Sequence, residues 1–190
     1  MTWLAGKLLQ LRGWKFTGEL PDVPKLIIIG APHTTNWDFI VYLGFLHHFG
    51  VKASFIGKHT LFRWPFGYFF RWLGGIPVDR SQAAGLVQQV VDAIANSERM
   101  ILVMAPEGTR KPAPYWKSGF LKIAAKAEIP IVLGYVDFPN RRAGLGPMVR
   151  FDGDATRLMD QARQFYADKQ GLHPEGKGPV RVREEVEPED

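Results

Sequence analysis

Two continuous apolar runs dominate the hydropathy pattern, KLIIIGA at 25–31 and MILVMA at 100–105. Both are rich in branched side chains, show no alternation and end in a Pro-containing turn, as strands buried on both faces of a sheet do. Shorter runs at 52–57, 74–78, 129–136 and 146–151 add strand candidates, the last placed at a sheet edge. Between them apolar residues recur with a helical period over 36–49, 83–97, 116–127 and 155–167. This alternation predicts an α/β fold with a mostly parallel central sheet flanked by helices. Ligands in such folds bind at the carboxyl ends of strands, in loops that lead into helices. Two loops qualify: APHTTNWDF at 31–39 and APEGTR at 105–110.

The start, MTWLAGKLLQLRGWKF at 1–16, predicts an N-terminal amphipathic helix whose broad face carries Trp3, Leu4, Leu8, Leu11 and Trp14. Lys7 falls within that face, so a membrane-surface helix and a helix packed on its own core both fit. No stretch reaches the ~20 apolar residues that span a bilayer, and the start lacks the pattern of a cleaved signal peptide. The expectation is a chain neither integral nor secreted. With no composition break and no tandem repeat, residues 1–183 read as a single domain, followed by an acidic, disordered tail at 184–190.

The chain of 190 residues contains no cysteine, which excludes disulfides, thiolate metal sites and Cys nucleophiles and fits the reducing, cytoplasmic side. Formal charge is +5, but EEVEPED at 184–190 holds five of the 19 acidic residues and no basic one. The body is therefore distinctly basic and suits nucleic acid, anionic lipid or phosphorylated small molecules.

Chemistry-bearing residues narrow that choice. On one helix, residues five apart point about 140° away from each other, so His33 must precede the helix if it is to meet Asp38. Thr35 is a good N-cap, and Asp38 stands where an acidic side chain reaches back to the cap. The same geometry swings the carboxylate toward His33, where it can hold one ring nitrogen and leave the other as a base. In the second loop, Gly108 lets backbone approach a ligand, Thr109 supplies a hydroxyl, and Arg110 brings a fork suited to phosphate. The plainer alternative for that loop is a glycine turn with a surface pair between Glu107 and Arg110. A third stretch, GKHTLFRWPFGYFFRWLGGIPVDR at 57–80, sets a dense aromatic segment between Lys58 and Arg80, a composition suited to a lipid–water interface.

The ordered set His33-x-x-x-x-Asp38, GKHTLFRWPFG…LGGIPVDR, PEGTR and IPIV resembles the 1-acylglycerol-3-phosphate (lysophosphatidate) acyltransferase family of glycerolipid acyltransferases, over about residues 25–136. The resemblance implies a glycerolipid-acyltransferase-like fold and transfer of a fatty acyl group from acyl-CoA or acyl carrier protein to a lysophospholipid or glycerol-phosphate-type hydroxyl. His33 matches the general base and Asp38 its orienting partner. Gly108, Thr109 and Arg110, with Glu107 fixing the loop, match the acceptor-binding motif, and Lys58 and Arg80 complete a phosphate pocket. It implies no metal and no bound cofactor. The expected partners are the thioester donor, the lysophospholipid and the membrane surface, bound peripherally on the cytoplasmic face, rather than nucleic acid. Pro32, Thr35, the segment KPAPYWKSGF at 111–120 and the single proline of IPIVLGYV depart from the family pattern and border the acceptor site.

Two other readings compete. A metal-dependent hydrolase would recruit His33, Asp38, His47 and His48, although adjacent histidines on a helix point about 100° apart. A non-catalytic protein docking on anionic membrane explains the charge but not His33 or Glu107.

Overall fold

The computed structural model describes residues 2–78 and 83–185, apart from the side chains of Lys58, Ala83 and Ala84. Seven strands form one sheet in the order β1-β7-β6-β2-β5-β3-β4. They are β1 (Lys15–Thr17), β2 (Lys25–Ala31), β3 (Ser54–Lys58), β4 (Gly75–Val78), β5 (Met100–Met104), β6 (Ile131–Asp137) and β7 (Arg142–Val149). Every pairing is parallel except β6 with β7. The helices are α1 (Thr2–Leu11), α2 (Asp38–Phe49), α3 (Gly67–Trp72), α4 (Ala83–Ala95), α5 (Gly119–Ala127) and α6 (Ala155–Tyr166).

The run at 25–31 is β2, and its burial explains its composition. Ile27 and Ile29 face a core made with Val90 and Ile94 of α4, Phe120 and Ile123 of α5, and Leu158 and Met159 of α6. Leu26 and Ile28 point the other way, onto Leu43, Phe45 and Leu46 of α2 and Ala5 of α1. With both faces covered, the buried positions Leu26 to Ile29 are all apolar, hence the absence of alternation. A Leu or Ile so buried contributes about 1.5–3 kcal/mol relative to exposure.

Several expectations are corrected. Trp14 does not share the face of the first helix: α1 ends at Leu11, and Trp14 packs edge-on against Phe138 with ring centroids 5.1 Å apart. The strand expected at 146–151 starts at Arg142, and its first residues are covered by β1, so only its later part lies at the edge. The helix expected from 116 begins at Gly119, because the N–H groups of Trp116 and Lys117 pair with Arg181 O at 2.7 Å and Pro106 O at 2.7 Å. The acidic tail does not start at 184. Glu184 and Glu185 lie in a 3-10 turn, where Glu185 accepts from Arg163 Nη1 at 2.7 Å and from the Val182 amide at 2.9 Å. Residues 186–190 of that tail lie outside the described residues.

Candidate active site

Strands β2 and β5 are parallel neighbours with Ile29 opposite Met104, so their carboxyl ends deliver the two loops side by side. The contact between them is direct. The backbone N–H of His33 donates to Glu107 Oε2 at 2.6 Å, across 74 positions of sequence. Glu107 is 4% exposed, which overturns its alternative reading as half of a surface pair with Arg110. Burial pushes its carboxyl pKa up, opposed by the His33 N–H and the His33 charge.

His33 Nδ1 lies 2.9 Å from Asp38 Oδ2. The same oxygen accepts from the backbone N–H of Thr34 at 3.0 Å and of Thr35 at 3.1 Å. Asp38 thus reaches back to fix the loop that leads into α2, and it grips the imidazole. A carboxylate only accepts, so Nδ1 carries the hydrogen and Nε2 keeps the lone pair. Thr35 does not cap α2: the residue before the helix is Trp37, and no side chain caps it. Its Oγ1 accepts from the Trp37 N–H at 3.3 Å, and regular helix begins at Asp38 rather than 36.

The second loop turns at Gly108, whose φ of 67° is the left-handed conformation glycine adopts without penalty. Thr109 Oγ1 accepts from the Lys111 N–H at 3.2 Å. Arg110 Nη1 donates to Asn36 Oδ1, a second tie between the two loops. Lys58 is the last residue of β3, its side chain outside the described set, and Arg80 lies outside the described residues.

A cleft of about 1870 Å³ opens here, lined by polar residues that include His33, Thr109 and Arg110 and by apolar residues that include Ile56, Leu86, Val87, Met104 and Leu121. A charge-bearing head and an aliphatic chain both have matching surfaces in it. A smaller hollow of about 260 Å³, lined by Lys25, Ile94 and Glu128, sits at the opposite end of β2.

His47 and His48 do not join His33. They occupy the last turn of α2, and the His48 ring stacks on Phe16 with centroids 5.3 Å apart. Among the described residues no three His, Cys, Asp or Glu side chains gather as a metal-binding group.

Sequence reasoning missed the support behind the loops. The buried Tyr166 hydroxyl lies 2.9 Å from Ile29 O and 2.8 Å from Gly134 O, joining β2 and β6 just below the site. Lys177 Nζ donates to Tyr166 O and Lys169 O, both at 2.9 Å, and burial lowers its pKa while the Glu107 charge opposes that fall. These partners are remote in sequence and leave no local pattern.

A family model described as Acyltransferase matches residues 15–133. No curated protein matches the chain. Among solved structures, the 1-acyl-sn-glycerophosphate (LPA) acyltransferase PlsC from Thermotoga maritima aligns with a TM-score of 0.58 at 19% identity, over 87% of this chain and 73% of that one. That likeness is one of fold.

Proposed function

The chain belongs to the Acyltransferase family and is an O-acyltransferase, and we propose that it moves a fatty acyl group from acyl-CoA or acyl carrier protein to the hydroxyl of a lysophospholipid or glycerol-phosphate-type acceptor. The observation that carries the proposal is the His33–Asp38 pair, with Nδ1 held at 2.9 Å and the ring on the wall of the cleft. His33 Nε2 takes the acceptor's hydroxyl proton as that oxygen attacks the thioester carbonyl. The tetrahedral intermediate collapses with cleavage of the carbon–sulfur bond, and the imidazolium returns its proton to the departing thiolate. General-base catalysis supplies typically ~10²–10⁴ in rate, with positioning in the cleft contributing further. Asp38 keeps the tautomer and stabilises the imidazolium, as the acidic member of a catalytic triad does.

Arg110 serves the acceptor's phosphate, for which a guanidinium fork is well shaped. Lys58 and Arg80 join it on the family resemblance. The acyl chain lies against the apolar lining residues, Ile56, Leu86 and Met104 among them.

The protein works as a peripheral protein on the cytoplasmic face of the membrane. Among the described residues no helix is long and apolar enough to cross a bilayer. α1 buries Ala5, Gly6 and Leu9 while Trp3, Leu4, Leu8 and Leu11 stand outward, Leu11 being 84% exposed. Around α3, Trp64 is 86% and Tyr68 81% exposed, with Phe66 and Trp72 beside them and Arg63 and Arg71 interspersed. Aromatic rings among basic side chains suit an anionic interface.

A mass-spectrometric screen tests the reading. Purified protein is mixed with a panel of lysolipids and with palmitoyl-CoA or palmitoyl-acyl carrier protein. A diacyl phospholipid product absent from the His33→Ala control is expected. Thioester consumption with no acylated lipid would contradict it.

A further inference from the structure

The two site loops are held from behind by a segment that carries none of the motifs, beyond the residues 15–133 that the family model matches. After α6 the chain runs back beneath the site, and its principal contact there is with Thr34, the residue following His33. Thr34 is 5% exposed. Its Oγ1 accepts from the backbone N–H of His173 at 3.2 Å. A Cβ placed on Gly171 would stand 2.4 Å from that Oγ1, and one on Gly176 would stand 3.3 Å from the Cβ of Thr34 and 2.9 Å from the carbonyl oxygen of Arg110. Two glycines thus leave the room that the Thr34 side chain fills, and Gly176 touches both site loops at once.

On its other side Thr34 donates its own N–H to Asp38 Oδ2 at 3.0 Å, the oxygen that also holds His33 Nδ1. One residue therefore links the segment to the catalytic pair. The segment is itself anchored at several points. Arg181 Nε donates to Pro114 O at 3.0 Å, and Val182 forms a parallel bridge with Trp116. Arg163 Nη1 reaches Val180 O at 3.2 Å and Glu185 at 2.7 Å. Lys177, bonded to the carbonyls of Tyr166 and Lys169, sets a positive charge toward the buried Glu107 carboxylate, the other partner of the His33 loop.

We propose that residues 171–176 form a strap that acts through Thr34, a positioning residue, to hold the His33–Asp38 pair in register with the Arg110 loop. This rests on His33 as the general base. A pair so coupled is sensitive to small shifts, since a misplacement of about 1 Å costs up to ~10²-fold in rate. Removing the Thr34 hydroxyl leaves the His173 N–H without its acceptor and loosens the tie between strap and loop. The segment then persists as structure, but the imidazole loses its fixed orientation.

The test uses the full chain labelled with ¹⁵N-histidine, comparing wild type, Thr34→Val, Thr34→Ser and Gly171→Ala. His33→Ala identifies the His33 ring signals by their loss. In Thr34→Val, which keeps the shape and drops the hydroxyl, the His33 Nδ1–H signal should shift or broaden. kcat with palmitoyl-CoA and lysophosphatidate should fall about tenfold to a hundredfold, with both KM values nearly unchanged. Thr34→Ser should restore the signal and the rate. Should Thr34→Val fail to fold, Gly171→Ala carries the test, because its Cβ displaces the Thr34 hydroxyl directly. A folded Thr34→Val or Gly171→Ala protein with an unmoved His33 signal overturns the strap, whatever its activity. Loss of rate in proportion to unfolded protein, with the signal unmoved in the folded fraction, overturns it as well. Turnover that survives in His33→Ala sinks the general-base reading instead, so the two failures are separable.

Discussion

The backbone N–H of His33 and the carboxylate of Glu107 meet at 2.6 Å. This contact joins the loop that carries His33 to the loop that carries Arg110. It puts a carboxylate where water is nearly excluded, and that burial gives the pair a pH signature.

Glu107 has its pKa raised by burial above the ordinary value of 4.5. The folded protein therefore holds this proton to higher pH than the unfolded chain does. The contribution of Glu107 to stability is greatest below the unfolded-chain pKa and declines as pH rises through the folded one. Glu107→Gln keeps an oxygen for the His33 N–H and removes the titration. In urea unfolding followed from below the ordinary value of 4.5 upward, the wild type should lose stability relative to this variant as pH rises through the raised pKa. Parallel pH profiles would show that the carboxylate is not held in the way described.

Asp38 accepts three hydrogen bonds on one oxygen, from His33 Nδ1 and the Thr34 and Thr35 amides. Asp38→Asn weakens all three and loses the negative charge opposite the imidazolium. A loss of stability of about 1 kcal/mol is expected from the weakened bonds to the loop before α2. The turnover number should drop by at least about tenfold, since an amide in this role can select the wrong tautomer. Denaturation midpoints and kcat, measured together, check both parts.

Arg110 touches Asn36 while lining the cleft. Arg110→Lys keeps the charge and loses the fork. The KM for a phosphate-bearing acceptor should rise well beyond any change in that of the thioester donor. Selective damage to donor binding would reassign this side chain.

The outward faces of α1 and α3 give a separate prediction. Replacing Leu8 and Leu11, or Trp64 and Trp72, by serine removes side chains that are exposed, Trp72 by 72%, so thermal stability should hardly change. Co-sedimentation with vesicles rich in anionic lipid should fall, and salt should weaken the binding that remains by screening. Undiminished binding by both double variants would place the membrane contact elsewhere.

What was legible in the sequence divides along physical lines. Where one residue type must recur for a whole element to be buried, as along β2 from Lys25 to Ala31, the pattern names the element and its ends. The relation of Asp38 to His33 was legible because it is local, set by the first turn of a helix. Three-residue β1 offers too few positions for any period, and α3 is hidden within a segment whose aromatic residues fall on all sides. The burial of Glu107 follows from β2 lying beside β5, which the order of motifs along the chain does not reveal. The Arg110–Asn36 and Thr34–His173 contacts join residues 74 and 139 positions apart, and neither leaves a mark in the local pattern.

The proposed reaction depends on His33 Nε2 taking the proton of the attacking hydroxyl. The most direct measurement is single-turnover acyl transfer by His33→Ala at saturating acyl donor and acceptor, with circular dichroism and thermal unfolding matched to wild type. His33 is part-exposed in a loop, so the fold should survive the change. The rate should fall by ~10²–10⁴. A folded His33→Ala protein that keeps more than about a tenth of the wild-type rate would contradict it, because a general base of ordinary strength contributes far more than that.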